Sequence, residues 1–187
     1  VHFYTNTTMD TLDYSGTGIN SGSKVVLAAY GDKIRDLSNE VPAVLNKLEG
    51  FGAAGLAMPG VVCLTAPAYT NAQDAASQMN ALDAQLSNTP LEGIAIIVIC
   101  DDAEFTAQTL NNYLWVTYTR SNPSHDIYGI GAFTQNKHWG CRGPLVIDAR
   151  IKPHHAPVLE KDAAVEKRVD QLFEKGGSLY SLSSTQV

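Results

Sequence analysis

Long apolar runs are missing from this 187-residue chain, and charge and cysteine are scarce. The longest apolar stretch, residues 94–100, falls far short of the roughly 20 residues a membrane-spanning helix requires, so no membrane span is expected and the stretch reads as a buried strand. Charged residues make up 17% of the chain and sum to a net charge of −6, which argues against a general nucleic-acid or anionic-membrane binder. The three cysteines, Cys63, Cys100 and Cys141, are odd in number, and two of them lie in apolar, strand-like runs where a thiol behaves as a small hydrophobe. A disulfide framework is therefore not expected, and a reducing cytoplasm is the expected location. The chain opens on Val1 with no Met, basic stretch or apolar stretch, so no signal peptide is visible. The expectation is that residues precede Val1, or that the start is processed or engineered.

Motifs of nucleophilic and phosphate chemistry are also missing. There is no G-x-S-x-G elbow and no local cysteine signature. The glycine-rich GTGINSG at residues 16–22 precedes a strand instead of following one, so it lacks the setting of a phosphate-binding loop and reads as a flexible lead-in.

What is present is an alternation of short apolar stretches and amphipathic ones. Residues 1–23, rich in Thr, Asp, Ser and Gly, read as an irregular arm. Strands are expected at 24–30, 61–65, 94–100, 126–133 and 145–149, the third apolar on both alternating faces and so central in a covered sheet. Helices are expected at 41–48, from Thr70 or Asn71 to about Leu86, at 106–118 and at 162–175, where Gly176 and Gly177 stop the last one. Residues 50–60 read as a break and 134–143 as a polar loop. The pattern predicts a layered α/β domain over 24–177, with a central, mostly parallel or mixed sheet flanked by helices and a loose Ser-rich tail at 178–187.

Two acidic and basic clusters follow expected strands, where ligands of open α/β sheets usually bind. Asp101 and Asp102 offer a cation site or an acid and base, but such carboxylates more often cap the next helix. The stretch 148–155 packs Asp148, Arg150, Lys152, His154 and His155 together. Arg supplies a planar fork and Lys a point charge for a carboxylate or phosphate, against the plainer reading of a solvated loop with Asp148 paired to Arg150 or Lys152. Trp139, in the polar loop, is expected at a cleft or interface. His138, Cys141, His154 and His155 offer zinc-type ligands without the usual spacing.

Residues 97–127, IVICDDAEFTAQTLNNYLWVTYTRSNPSHDI, resemble the C-terminal domain of UbiD-like decarboxylases: an apolar strand, an acidic pair, a helix, a Trp, a Thr-Arg and then Asp-Ile. Residues 143–157, GPLVIDARIKPHHAP, look like that family's Gly-Ile-Asp-Ala-Thr-Lys segment, with Ala149-Arg150 where the family has Ala-Thr. The resemblance implies part of a non-oxidative decarboxylase, a carboxy-lyase of aromatic or α,β-unsaturated acids that uses prenylated FMN with metal ions. It implies that the flavin and the catalytic Glu-Arg-Glu group sit on N-terminal and split-barrel regions outside this sequence, with this domain closing over substrate and joining oligomers. No catalytic residue and no bound cofactor are expected on this domain alone. Its substrate-side candidates are Asp148, Arg150, Lys152, His154 and Trp139. A stand-alone α/β ligand-binding or assembly module and a small metal enzyme built on the histidines are the alternatives.

Overall fold

The computed structural model describes residues 2–8, 18–28, 30–155 and 162–183. They fall into two compact units, Val1–His155 and Ala156–Val187, each described by itself. The single domain expected over 24–177 remains an expectation; parts of the expected arm (residues 1 and 9–17) and tail (184–187) lie outside the described residues.

The first unit is built on a five-stranded sheet. A two-stranded ribbon comes first, β1 (His2–Thr7) antiparallel to β2 (Gly22–Val26), and a single 3-10 turn at Ala43–Lys47 follows. The sheet strands are β3 (Ala54–Met58), β4 (Val61–Thr65), β5 (Ile96–Cys100), β6 (Ile127–Gly129) and β9 (Leu145–Asp148). In space they run β3-β4-β5-β9-β6, with β4, β5 and β9 parallel and the two edge strands antiparallel. Helix α1 is Ala72–Leu86, α2 Ala103–Gln108, α3 Leu110–Thr119 and α4 Pro123–Asp126; strands β7 (Ala132–Gln135) and β8 (His138–Cys141) form a separate hairpin.

Alternation along β5 divides the core into two layers, because successive strand side chains point to opposite faces. Ile97 and Ile99 join Val62, Leu64 and Val146 under the Met79, Leu82 and Leu86 stripe of α1. Val98 and Cys100 join Val61 and Cys63 under Ala103, Tyr113 and Val116 of α2 and α3. Each fully buried Ile or Val of this strand stabilises the fold by about 1.5–3 kcal/mol. The layered α/β architecture read from the sequence is the one observed. All three thiols are free, and those of Cys63 and Cys100 are buried. Among the described residues no helix is long and apolar enough to cross a membrane.

Where elements differ from expectation, local chemistry explains it. The single helix expected at 106–118 is two helices. Thr109 breaks it in an extended conformation and its hydroxyl accepts from the Asn112 N–H, starting α3, while Asn112 Nδ2 donates to the Phe105 carbonyl and satisfies the end of α2. The helix expected at 41–48 shortens to the 3-10 turn. β3 occupies the expected break at 50–60, and Gly55 permits it: a Cβ there would stand 2.9 Å from the Ala107 Cβ of α2. The expected loop at 134–143 is most of the β7–β8 hairpin, turned by Asn136 and Lys137, both at positive φ. The expected irregular arm carries β1, and the strand expected at 24–30 lies at Gly22–Val26 because its partner is β1 and not the main sheet.

Among its described residues the second unit carries α5 (Ala163–Phe173) and α6 (Tyr180–Ser183), the latter within the expected loose tail. Asp162 caps α5, accepting from the Ala164 and Val165 N–H groups, and Gly176 at positive φ allows the Leu179 N–H to return to the Leu172 carbonyl.

Candidate functional site

The site grows from the carboxyl end of β9. Asp148 Oδ1 accepts the backbone N–H of Arg150, an Asx turn that ends the strand and folds the Arg150 side chain back over its own turn. The guanidinium then donates from Nε to Asp148 Oδ1 at 2.9 Å and from Nη2 to Oδ2 at 2.6 Å, and from Nη1 to the Pro67 carbonyl and Gln78 Oε1. Neither Asp148 nor Arg150 is exposed.

Lys152, two residues on, points the same way. Its Nζ donates to the carbonyls of Arg120 (2.9 Å), Asp148 (3.0 Å) and Arg150 (3.4 Å), and lies 3.2 Å from Asp126 Oδ2. Asp126 Oδ2 also accepts the Asn122 N–H at 2.6 Å. Both cations stand near the Tyr69 ring, Arg150 Cζ at 5.7 Å and Lys152 Nζ at 5.5 Å from its centroid. Alongside, Asp101 Oδ2 accepts the Ile151 N–H and pairs with Arg120, while Asp102 caps α2 by accepting the Phe105 N–H. The buried cluster thus sets two carboxylates against two cations.

Electrostatics follow from burial. Burial opposes the Arg150 charge, but the Asp148 hydrogen bonds and the Asp148 and Asp101 charges outweigh it, leaving its pKa above the ordinary value. Burial lifts the Asp126 carboxyl above the usual carboxylate range, against the pull of Lys152 and the Asn122 N–H. Tyr128 is pushed up to about 12, by burial first and then by the Asp126 and Asp148 charges; Tyr69 moves the same way for the same causes. Both phenols therefore keep their protons at neutral pH. His155 is lowered to about 4 by burial, with His154, Lys152 and Arg120 adding to the effect. Its Nδ1 accepts the Lys152 backbone N–H, and its Nε2 is buried with no hydrogen-bond partner among the described residues.

Over this cluster opens a cavity of about 460 Å³. Tyr69, Asn122, Asp126, Tyr128 and Lys152 line it with Ala72 and Ala75 of α1; His125 and His154 border it, and Asn6 and Ser21 reach it from the ribbon. The ribbon is fastened there by Ser23, whose hydroxyl donates to Asn122 Oδ1 and accepts the Ser124 N–H at 2.8 Å.

Of the residues expected from sequence, Asp148, Arg150 and Lys152 come together in the buried cluster, and His154 and Lys152 line the cavity. Trp139 stands apart on β8, near Gly129, and does not line it. His138 and Cys141 are also on β8, while the His154 and His155 rings meet edge to face at 4.6 Å. Among the described residues no three His, Cys, Asp or Glu side chains are grouped to hold a metal ion. Sequence reasoning did not single out Tyr69, Gln78, Asn122, Asp126 or Tyr128 as site residues, although Asp126 is the Asp of the Asp-Ile that closes the motif at 97–127. Asn122-Pro123, a helix start with an acid three residues after the Pro, also carried a local signal.

No family model matches the chain. Over 170 residues, 91% of its length, it is 28% identical to an uncharacterized protein of Chlamydia muridarum, of which it covers 28%. Over 168 residues, 90% of its length, it is 27% identical to a Chlamydia pneumoniae protein named as a 4-hydroxybenzoate decarboxylase subunit, of which it covers 27%. The chain thus spans little more than a quarter of the length of these curated relatives. Among solved structures, an evolved dimeric form of the UbiD-class enzyme HmfF from Pelotomaculum thermopropionicum, in complex with prFMN, aligns with 66% of this chain and 26% of its own, at 16% identity and a TM-score of 0.40. A likeness at that level carries no argument about the site. The motifs at 97–127 and 143–157 and the named chlamydial relative agree on one resemblance, to UbiD-like decarboxylases.

Proposed function

We propose that this chain is the C-terminal, substrate-closing and oligomerising domain of a UbiD-like carboxy-lyase, acting in the cytoplasm on an aromatic or α,β-unsaturated carboxylic acid. The observation that carries the reading is the similarity over nine-tenths of the chain to the protein named as a 4-hydroxybenzoate decarboxylase subunit. The chain itself contributes closure and assembly, and the reacting groups come from regions outside it.

The cofactor of that reading, prenylated FMN, carries a phosphate. The residues of the cavity do not fit it. All three Lys152 Nζ hydrogens are taken up by protein oxygens, and Arg150 is fully buried with its fork closed on Asp148. Neither cation is available to a phosphate, so no chemical step on these residues is routed through the flavin.

The oligomerising role is supported by the outer face of α2 and α3. Leu110, Leu114 and Tyr118 recur every four residues beside Trp115, with Phe105 on α2, and all five side chains are exposed. A contiguous apolar face of this kind on a soluble domain marks a contact surface.

The test uses the longer protein that carries this chain, loaded with prenylated FMN and offered aromatic and α,β-unsaturated acids. CO2 release is expected from at least one of them, and none across the panel overturns the reading. Leu114→Glu with Trp115→Glu is expected to shrink the assembly in sedimentation while the circular dichroism of the chain is kept. An unchanged assembly overturns the oligomerising part.

A further inference from the structure

A second cavity, of about 280 Å³, opens at the other end of the main sheet. Ile94 and Pro144 line it and stand just before β5 and β9, whereas the Asp148–Lys152 cluster follows β9. Because β5 and β9 are parallel, the two sites lie at opposite ends of the strands. The floor of the second cavity is aliphatic: Leu86, Ile94 and Ile130 are each no more than 4% exposed, with Leu91 and Pro144 beside them. Its exposed rim is charged, carrying Arg35, Arg142 and Glu92. Among the described residues none of these three forms an ion pair.

The two cations are neighbours. Arg142 Cζ lies 5.7 Å from the Phe133 ring centroid, a contact that occupies the flat face of the guanidinium and leaves its N–H edges unspent. Burial raises the pKa of the Cys141 thiol and the Arg35 charge draws it down, so Arg35 stands near the residue that precedes Arg142. Negative charge enters the same cavity twice. Glu92 brings a carboxylate, and Leu86 and Ser87 bring the C-terminal end of α1, whose last turn holds no basic residue to offset the helix dipole. Ser87 and Thr89 add hydroxyl oxygens, and Thr89 Oγ1 spends its own proton on the Gln85 carbonyl, which leaves it an acceptor.

The lining as a whole fixes the class of ligand. A simple anion suits the two arginines but meets Glu92 and the negative helix end. A simple cation suits Glu92 and meets the arginines. A carboxylate and an ammonium on one carbon answer both signs together, and an apolar side chain then covers the floor. Among the described residues no aromatic ring lines the cavity, so the floor suits an aliphatic side chain. The volume lies just under the roughly 300–1,000 Å³ of drug-sized sites, which fits a smaller molecule.

We infer that this cavity binds a free α-amino acid with a branched aliphatic side chain, of the leucine class. Arg35 and Arg142 hold its carboxylate, Glu92 holds its ammonium, and its side chain lies on Leu86, Ile94 and Ile130. The site does not rest on the decarboxylase reading, since it shares no residue with the Asp148–Lys152 cluster or the cavity over it.

The longer protein that carries this chain is irradiated with the diazirine analogue of leucine, and the labelled peptides are mapped by mass spectrometry. Labelling is expected within residues 86–94, at 130 or within 142–144, with half-saturation in the millimolar range of so small a molecule. Leucine is expected to suppress it. At the same concentration 4-methylpentanoate, which lacks the ammonium, and 3-methylbutylamine, which lacks the carboxylate, are expected to leave it. Arg35→Gln, Arg142→Gln and Glu92→Gln change exposed side chains, and each is expected to weaken labelling about fivefold with the melting temperature unchanged. No labelling at those residues, suppression by either one-charge analogue as strong as by leucine, or undiminished labelling of any of the three variants overturns the site. Those outcomes leave the decarboxylase reading untouched, just as absent CO2 release leaves this site untouched.

Discussion

Arg150 and Asp148, two residues apart, close on each other as a fork, Nη2 at 2.6 Å from Oδ2 and Nε at 2.9 Å from Oδ1, with no solvent on either side chain. A pair so placed gives little net stability, because desolvation offsets most of the attraction, but breaking it leaves a bare buried charge. Arg150→Met is expected to cost about 3–5 kcal/mol in urea denaturation. Arg150→Lys is expected to fare little better, since a point charge does not span both carboxylate oxygens. The double variant Arg150→Met with Asp148→Leu is expected to recover much of the loss; a double variant as unstable as the single one contradicts this account.

His155 makes the fold sensitive to acid. Its folded pKa is depressed from 6.5 to about 4, so between those values the unfolded chain takes up a proton that the folded chain refuses. Its contribution is present above pH 6.5 and is lost as pH falls toward 4. Asp126, with a raised pKa, works in the opposite sense: its contribution is present in acid and is lost as pH rises through its folded value. His155→Asn keeps an acceptor for the Lys152 N–H but does not titrate. The melting temperature of the variant is expected to fall less between pH 6.5 and 4 than that of the parent, and parallel curves refute the assignment.

Gly55 and Gly50 are required for different reasons. At Gly55 a methyl group would meet the Ala107 Cβ at 2.9 Å and the Ala103 carbonyl oxygen at 3.1 Å, pushing α2 off β3. At Gly50 a methyl group meets nothing within 4 Å, but φ is +80°. Gly55→Ala is expected to cost about 1–3 kcal/mol through overpacking. Gly50→Ala is expected to cost about 1–2 kcal/mol through backbone strain. Hydrogen exchange separates them, since only Gly55→Ala is expected to speed exchange in α2.

The caps of the split helix make a fourth test. Asp102→Ala and Thr109→Ala each remove a side-chain acceptor at a helix start and are expected to cost about 1 kcal/mol apiece in chemical denaturation. Asp102→Asn, which keeps the acceptor, is expected to lie near the parent.

Residues 94–100 were legible as a central strand because both alternating faces are apolar, and α1 because Ala75, Met79, Leu82 and Leu86 keep helical spacing under an Asn71 cap. β3 and β8 were not. Gly55 reads as a breaker until α2 is seen lying on it, and β8 has no buried face to impose alternation. The charge density at 148–152 was visible, but whether it faces solvent or supplies its own counter-charges was not. That was decided by Gln78, 72 residues from Arg150, by the Pro67 carbonyl, 83 residues away, and by Asp126. No local pattern encodes such pairings.

The Ser23 fastening ties two events together. Asn6 and Ser21 reach the cavity only on the β1–β2 ribbon, and the ribbon meets α4 through Ser23, Asn122 and Ser124. Occupancy of the cavity and seating of the ribbon are thermodynamically linked, so each favours the other by the same free energy. Any molecule that touched both walls would slow proteolytic cutting of the ribbon, and the rate of that cutting would gauge how full the cavity is.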